Sequence, residues 1–218
     1  KKYFDRALSI FPDDQNTKYN LSLLNLSKKN FIHGWQEYEF RKFNTISNEQ
    51  KKMNENFIID KNIINKKILI LKEQGIGDEI LFSSIFNNMT KLCPNVTIEC
   101  NKKLKNIFKR SFPNVKKFLA TNNKNYKSNI LKKFDYIFFA GSLGKIFRRN
   151  IREFPKKKKF LLTDRKKDRS YKKYLNYLNK NLKIGISWIS KNEKIGKYKT
   201  IPLIEFDNII SNKNLTFI

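Results

Sequence analysis

A short turn, Gly75-Ile76-Gly77-Asp78, holds the residues whose types and spacing best suit chemistry, with Gln74 directly before it. Asp78 stands where the pattern predicts the start of a helix, and the helix dipole favours a negative charge at that end. A carboxylate there can accept a proton from a hydroxyl while the hydroxyl oxygen attacks an activated carbon. One interpretation of the turn is therefore that Asp78 acts as a general base.

Two other interpretations of the same turn remain open. In a dinucleotide site the pyrophosphate would lie at the helix start and Glu99 would bind the ribose. Against such a site, Ile80 occupies the position of the third glycine, and the charge of Asp78 would repel the pyrophosphate. In a purely structural interpretation Asp78 caps the helix and the two glycines only allow a sharp turn. The residues do not decide between a base and a cap.

The elements around the turn follow an alternating β-α pattern. Ile68–Leu71 is an apolar run that predicts a buried strand, and apolar residues at helical spacing continue from Ile80 to Met89. Further strands are predicted at residues 96–100, 115–119, 134–139, 183–188 and 215–218, and helices at 104–112 and 171–178. A second glycine loop is predicted at residues 141–144. The alternation predicts a parallel sheet with right-handed crossovers, and a second α/β domain from residue 182.

Residues 1–43 predict helices joined by short turns. The segment Ala7-Leu8-Ser9-Ile10-Phe11-Pro12 resembles the end of a tetratricopeptide repeat, where a small residue packs between helices and a proline ends the second one. In a third helix Trp35 and Tyr38 share one face, which predicts a helix that caps the repeats. His33, the sole histidine, is expected on the surface. Residues 44–66 are polar without a sustained period and predict a linker.

The chain carries 47 basic and 19 acidic residues, a formal net charge of +28. Such a charge is typical of proteins that bind nucleic acid or membrane surfaces. Lysine far outnumbers arginine, however, and the composition indicates an A/T-rich coding bias, so we predict no nucleic-acid partner. Cys93 and Cys100 lack the spacing of a zinc site, and Cys100 is expected to be a buried thiol in a cytoplasmic protein. No apolar run reaches the ~20 residues of a membrane helix.

An ordered set of motifs resembles the bacterial tetratricopeptide-repeat glycosyltransferases, which are similar to heptosyltransferases and to O-linked N-acetylglucosamine transferases. The set begins with Gly34-Trp35-x-x-Tyr38-Glu39-x-Arg41 and continues with Lys72-Glu73-Gln74-Gly75-Ile76-Gly77-Asp78. Shorter matches follow in the same order at residues 96–100, 110–113, 141–143, 184–188 and 199–203. No single motif is specific, but the ordered set spans nearly the whole chain.

The resemblance implies a GT-B glycosyltransferase, in which a sugar passes from a nucleotide-sugar donor to a hydroxyl acceptor between two Rossmann-like domains. By this match Asp78 is the general base, and Gln74, Gly75 and Gly77 form the acceptor-side turn. The resemblance also implies that donor binding involves Ser187, Trp188, Ser190 and Lys199. The family's usual arginine is a lysine at position 199, which forfeits bidentate phosphate contacts. The resemblance implies no metal and no other cofactor, since N–H groups and basic side chains stabilise the leaving diphosphate.

The implied domains are the end of a repeat array at 1–43, a linker at 44–66, an acceptor-side domain at 67–165, a connecting helix at 166–181 and the start of a truncated donor domain at 182–218. This piece alone is therefore expected to be inactive. The expected acceptors are a glycan, a lipid-linked sugar or a protein, and the repeats are expected to offer a surface for protein partners. The expected location is the cytoplasm, including the inner face of the membrane. The main alternative is a non-catalytic repeat scaffold whose α/β part has lost activity.

Overall fold

A computed structural model describes residues 1–44, 61–121, 131–156, 159–178, 181–190 and 196–218. Most of the predicted linker at 44–66 lies outside these residues. The chain forms two compact units, Lys1–Leu162 and Thr163–Ile218, and each is described by itself. The five predicted domain ranges stay predictions.

Both units mix helices with parallel strands. In the first unit the helices are α1 (Lys2–Ile10), α2 (Gln15–Ser27), α3 (Phe31–Tyr38), α4 (Ile76–Ser83), α5 (Phe86–Leu92), α6 (Lys105–Ser111) and α7 (Gly144–Phe147), and the strands are β1 (Ile68–Leu71), β2 (Val96–Asn101), β3 (Lys117–Thr121) and β4 (Tyr136–Phe139). The second unit contains, in chain order, α8 (Arg165–Leu178), β5 (Leu182–Ile184), α9 (Asp207–Ile210) and β6 (Leu215–Phe217). Short 3-10 helices cover Glu39–Asn44, Lys61–Asn65, Ala140–Leu143, Ile151–Glu153, Gly196–Lys199 and Leu203–Phe206.

The sheet of the first unit has four parallel strands in the order β3-β2-β1-β4. The chain first adds strands on one side of β1 and then crosses to the other side, so the strand order reverses between β1 and β4. The α/β class and the parallel sheet are thereby confirmed, in an arrangement of Rossmann-like type. In such sheets a crevice opens outside the carboxyl ends of the two strands that flank the reversal.

The core covers both faces of β1, because its four residues alternate between two apolar clusters. Ile68 and Ile70 pack into the larger cluster, which is built mainly from the helices on one face of the sheet. Leu69 and Leu71 pack into a smaller cluster with Phe139 on the other face. All four β1 side chains are therefore buried, which explains the uninterrupted apolar run.

The helices before the sheet form a compact pair that packs on it. A Cβ atom added at Gly34 would lie 2.8 Å from the Leu26 side chain, so α2 and α3 approach closely at this glycine. Trp35 lies against Gly144 at the start of α7, and its indole N–H donates to the Arg148 carbonyl at 2.9 Å. The capping role predicted for α3 and the likeness to a tetratricopeptide repeat both stay predictions.

The predicted helix from Ile80 to Met89 is wrong in one respect, since it is two helices separated at Ser84 and Ile85. The Asn88 N–H donates to the Ile85 carbonyl instead of continuing the helical ladder to Ser84. The Ser84 carbonyl accepts from Arg148 Nη2 at 2.8 Å. A side chain inserted into the ladder in this way breaks a helix.

Other predicted boundaries shift for local reasons. Residues 141–144 are helical rather than a loop, because the Ala140–Leu143 turn runs directly into α7. Strand β3 starts at Lys117, since the Val115 N–H closes a turn on Phe112. Strand β5 is shorter than predicted, and α8 begins at Arg165 after Asp164 caps its first turn. No helix in the described part of the chain is both long and apolar enough to span a bilayer.

Candidate functional site

The turn after β1 joins the strand to α4 through four residues, Lys72 to Gly75. Its left-handed residue is Gln74, with φ of 58°, while Gly75 is extended with φ of −109° and ψ of 177°. No glycine in the described ranges has a positive φ. The expectation that the two glycines supply the sharp turn is therefore wrong, because the conformation that favours glycine falls on Gln74.

Asp78 lies in the first turn of α4, half-buried, with its two carboxylate oxygens in different situations. Oδ2 accepts a hydrogen bond from the Gly75 N–H at 3.0 Å. This is half of a capping box, because Gly75 has no side chain to return the bond. Oδ1 has no hydrogen-bond partner among the residues that the structure describes. The cap and the base are therefore compatible, with one oxygen holding the turn and the other open to accept a proton.

Open space surrounds Gly77. A Cβ atom added there would have no neighbour within 4 Å, whereas one added at Gly75 would lie 3.4 Å from Asp78 Oδ2. The missing side chain at Gly77 therefore leaves the backbone at the start of α4 accessible from outside. Backbone conformation does not require a glycine at this position, since no glycine in the described ranges has a positive φ.

The turn lies beside the segment that follows β4, at the carboxyl edge of the sheet. Gly141 and Glu73 meet there, and the Gly141 N–H donates to Glu73 Oε1. A Cβ atom at Gly141 would lie 2.7 Å from that oxygen and 3.0 Å from both the Tyr38 and Phe82 rings. The two predicted glycine segments are therefore brought together where the strand order reverses.

A buried arginine joins the helical segment to this edge. Arg41 Nε donates to Glu73 Oε2 at 2.6 Å and Nη2 donates to Glu73 Oε1 at 2.8 Å, a two-point ion pair. Arg41 is 6% exposed and also donates to Ser142 Oγ at 3.0 Å and to the Tyr38 carbonyl at 2.9 Å. Burial opposes its charge, but the bonds to Glu73 and the charge of Glu73 outweigh that effect and raise the pKa of Arg41.

Two tyrosines of the helical segment complete the surroundings of the turn. Gln74 Nε2 donates to the Tyr38 hydroxyl at 2.8 Å, and the Arg41 guanidinium lies 4.4 Å from the Tyr38 ring centre. Burial raises the pKa of Tyr38 to about 12, against the opposing charge of Arg41. Tyr19 lies 5.7 Å from Tyr38 between ring centres, and burial raises its pKa with a further contribution from the charge of Asp78.

The sequence interpretation missed Glu73, Ser142 and Tyr19 as members of this site. The signal for Glu73 was an acidic residue placed directly between a buried strand and a glycine turn, where a carboxylate needs a partner. Its partner is Arg41, which lies 32 residues earlier in the motif that begins at Gly34. No pattern in the sequence marks Tyr19.

The residues predicted for donor binding lie together in the second unit. The Ser190 N–H donates to Thr200 Oγ1 at 3.1 Å, and the Ile201 N–H donates to the Trp188 carbonyl at 3.1 Å. Ser187 and Lys199 are exposed on the two segments that these bonds connect. The structure thus brings these four predicted residues onto neighbouring segments, whereas Asp78 and the turn belong to the first unit.

Glu99 is not available to bind a ribose. Its side chain is fully buried, and its oxygens accept from the Lys72 N–H at 3.1 Å and from the Thr121 hydroxyl. Lys72 Nζ lies 3.8 Å from Oε1. Glu79 is likewise bound to its own chain, through the Asn101 N–H at 2.8 Å, and burial raises its pKa. The dinucleotide interpretation therefore loses its acidic residue.

The candidate metal ligands and thiols are few. No group of three or more His, Cys, Asp or Glu residues in the described ranges is arranged to hold a metal ion. Cys93 and Cys100 are free and buried, as expected for Cys100, and burial raises the pKa of Cys100 to about 11. His33 is exposed, as expected.

Comparison with curated proteins finds a distant similarity. The chain is similar to protein FlbA of Caulobacter vibrioides, with 26% identity over 175 residues. These residues are 72% of this chain and 28% of FlbA, so the chain spans less than a third of the length of that relative. No protein-family profile and no solved structure matches the chain.

Proposed function

We propose that the chain is part of a glycosyltransferase that transfers a sugar from a nucleotide-sugar donor to a hydroxyl acceptor. The single observation that carries the proposal is the state of Asp78. One of its oxygens is fixed by the Gly75 N–H and the other is open, beside the point where the strand order reverses. A base needs this combination of fixed orientation and an unused oxygen. The ordered motifs described above support the same activity.

In this mechanism Asp78 Oδ1 accepts the proton of the acceptor hydroxyl. The acceptor oxygen forms a bond to the anomeric carbon of the sugar while the bond from that carbon to the diphosphate oxygen breaks. The absence of a side chain at Gly77 gives the acceptor room to reach the carboxylate. We propose that the donor contacts Ser187, Trp188, Ser190 and Lys199. The diphosphate leaves as a nucleoside diphosphate.

The test compares Asp78→Asn and Asp78→Ala in the full reading frame that contains this chain. Release of nucleoside diphosphate is measured with a panel of sugar nucleotides and acceptors. An asparagine oxygen can still accept from the Gly75 N–H, so Asp78→Asn keeps the cap and loses only the base. We expect a loss of about 10²- to 10⁴-fold in kcat with little change in stability. Asp78→Ala should lose the same activity and about 1 kcal/mol of stability as well.

A non-catalytic scaffold is the second candidate, and the bond from Gly75 to Asp78 Oδ2 favours it. That bond gives Asp78 a structural role that requires no reaction. A folded protein that turns over no donor, binds none and loses stability only in Asp78→Ala would support the scaffold and contradict the transferase. If Asp78→Asn still turns over one donor, the protein is a transferase but Asp78 is not its base.

A further inference from the structure

A groove that opens to solvent on the first unit is lined by residues of α5, α7 and the segment that continues to Glu153. Its volume is about 700 Å³, which falls within the ~300–1,000 Å³ of typical small-molecule sites. None of its described lining residues belongs to the Asp78 turn or to the residues proposed to contact the donor. The groove is therefore separate from the candidate site described above.

Three cationic side chains line this groove, and all three are exposed: Lys145, Arg149 and Arg152. Within the described ranges the side chains of Lys145 and Arg152 have no ion-pair or hydrogen-bond partner. Arg149 is paired with Glu153 at 3.3 Å, and the Arg149 N–H also donates to Glu153 Oε2 at 2.6 Å. Glu153 is the one carboxylate among the described lining residues, so the groove carries a net charge of +2. Two of its cations are thus accessible and unpaired.

A buried side chain holds the walls of the groove in place. Arg148 is 1% exposed and donates to Asn88 Oδ1 at 3.2 Å, which ties α5 to the segment that carries Arg149 and Arg152. Because Oδ1 takes this bond, Nδ2 of Asn88 has no partner among the described residues and is a further donor at the groove. The Asn150 side chain accepts from the Arg152 N–H at 3.0 Å and caps the 3-10 helix. The groove is therefore formed before a ligand binds, which lowers the cost of binding.

The charges and the lining define the ligand. A phosphate monoester carries a charge of about −1.5 to −2 at pH 7 and three strong acceptor oxygens, which suits a groove of net charge +2 that is rich in donors. Ile146 and Phe147 are half-buried in the lining and offer apolar surface to the uncharged part of the molecule. We propose that this groove binds a small phosphorylated molecule, with its phosphate on Lys145 and Arg152. No step of the glycosyl transfer depends on this site.

Isothermal titration calorimetry of the full chain tests the proposal with two probes of similar shape, phenyl phosphate and benzenesulfonate. At about pH 7.5, above the second phosphate pKa of about 6, phenyl phosphate carries nearly two charges and benzenesulfonate carries one. At an ionic strength of about 0.15 M, long-range attraction to the rest of the chain is screened. We expect phenyl phosphate to bind at least about 10-fold more tightly, as for one additional charge-assisted hydrogen bond.

Two double variants separate the groove from the overall charge of the chain. Lys145→Gln with Arg152→Gln removes the unpaired cations and should weaken the binding of phenyl phosphate at least about 10-fold. Lys102→Gln with Lys103→Gln removes the same charge from exposed positions outside the groove and should change the affinity less than about 2-fold. All four side chains are exposed, so both variants should fold as the parent does.

Three results would overturn the proposal: phenyl phosphate does not bind, benzenesulfonate binds equally tightly, or the two double variants weaken binding equally. Equal weakening would mean that the net charge of +28, and not the groove, attracts the phosphate.

Flotation with lipid vesicles distinguishes a phospholipid headgroup from a free phosphorylated molecule. Phosphatidic acid in phosphatidylcholine vesicles presents a phosphate monoester, whereas phosphatidylglycerol presents a diester with a single charge. Binding to phosphatidic acid alone, lost in Lys145→Gln with Arg152→Gln, would assign the groove to a lipid headgroup. Binding of phenyl phosphate without binding to either vesicle would assign it to a soluble molecule.

Discussion

Removal of Arg41 is the sharpest perturbation of the edge where the turn lies. The Arg41 side chain is 3% exposed and that of Glu73 is 10% exposed, so neither charge can be solvated by water when its partner is removed. Breaking a buried ion pair from one side costs about 3–5 kcal/mol. We therefore expect Arg41→Met to lower the free energy of unfolding of the first unit by about this amount.

The same reasoning predicts that adding Glu73→Gln to Arg41→Met restores part of the lost free energy of unfolding. In Arg41→Met with Glu73→Gln both buried charges of this pair are removed, and the glutamine oxygen can still accept from the Gly141 N–H. The double variant should therefore be more stable than the sum of the two single changes predicts, with a coupling energy of at least about 2 kcal/mol.

Urea unfolding followed by tryptophan fluorescence measures this cycle. Trp35 and Trp188 are the two tryptophans, so a Trp188→Phe background leaves a reporter in the first unit alone. The more exposed pair Arg149–Glu153, 3.3 Å apart, is the matched control, and its cycle should give about 0.2–0.5 kcal/mol. A coupling energy at Arg41 no larger than in this control would refute the view that the buried pair holds the helical segment to the turn.

Two further predictions test the surroundings of the turn. Gly77→Ala should stabilise the chain by about 0.5–1 kcal/mol, because alanine favours the helix and its Cβ meets open space. Gly144→Ala should instead cost about 1–3 kcal/mol, because its Cβ would lie 2.5 Å from Trp35. Urea unfolding of both variants measures this, and equal effects would contradict it. The pKa of Tyr38 is raised to about 12 in the native state, whereas the unfolded state loses the same proton near pH 10. The free energy of unfolding should therefore fall by about 2–3 kcal/mol as the pH rises from 10 to 12. Unfolding measured across this range should show the loss relative to Tyr38→Phe, and parallel curves for the two proteins would refute it.

The sequence predicts the sheet well because its signals are local. Strands β1, β2 and β6 lie where the apolar and β-branched runs predict them, since buried parallel strands require such runs. The strand-turn-helix at Gly75 follows for the same reason. What the runs cannot supply is the conformation of individual residues. Gln74 adopts the left-handed backbone because its amide reaches the Tyr38 hydroxyl, a contact across 36 residues that no local pattern contains.

The contacts that assemble the site are long-range, and this is why the sequence did not predict them. The break in the helix at Ser84 depends on Arg148, 64 residues later. Arg41 pairs with Glu73 across residues 44–66, whose sequence has no hydrophobic periodicity. Charged residues in a chain of net charge +28 are normally solvated, so composition gives no reason to single out two arginines as buried. Only the tertiary structure distinguishes Arg41 and Arg148 from the other basic residues.

The helical segment is a structural part of the candidate site rather than an attachment to it. Gln74 holds an unfavourable backbone conformation that costs of order 1–3 kcal/mol and persists only because its surroundings enforce it. Those surroundings come from α3 and the residues directly after it, through the Tyr38 hydroxyl on Gln74 and the Arg41 guanidinium on Glu73. The conformation of the turn, and with it the direction of Asp78, therefore depends on residues that precede the sheet. If Asp78 is a base, Tyr38→Phe and Arg41→Met should lower kcat while the carboxylate itself is intact, as expected of positioning residues.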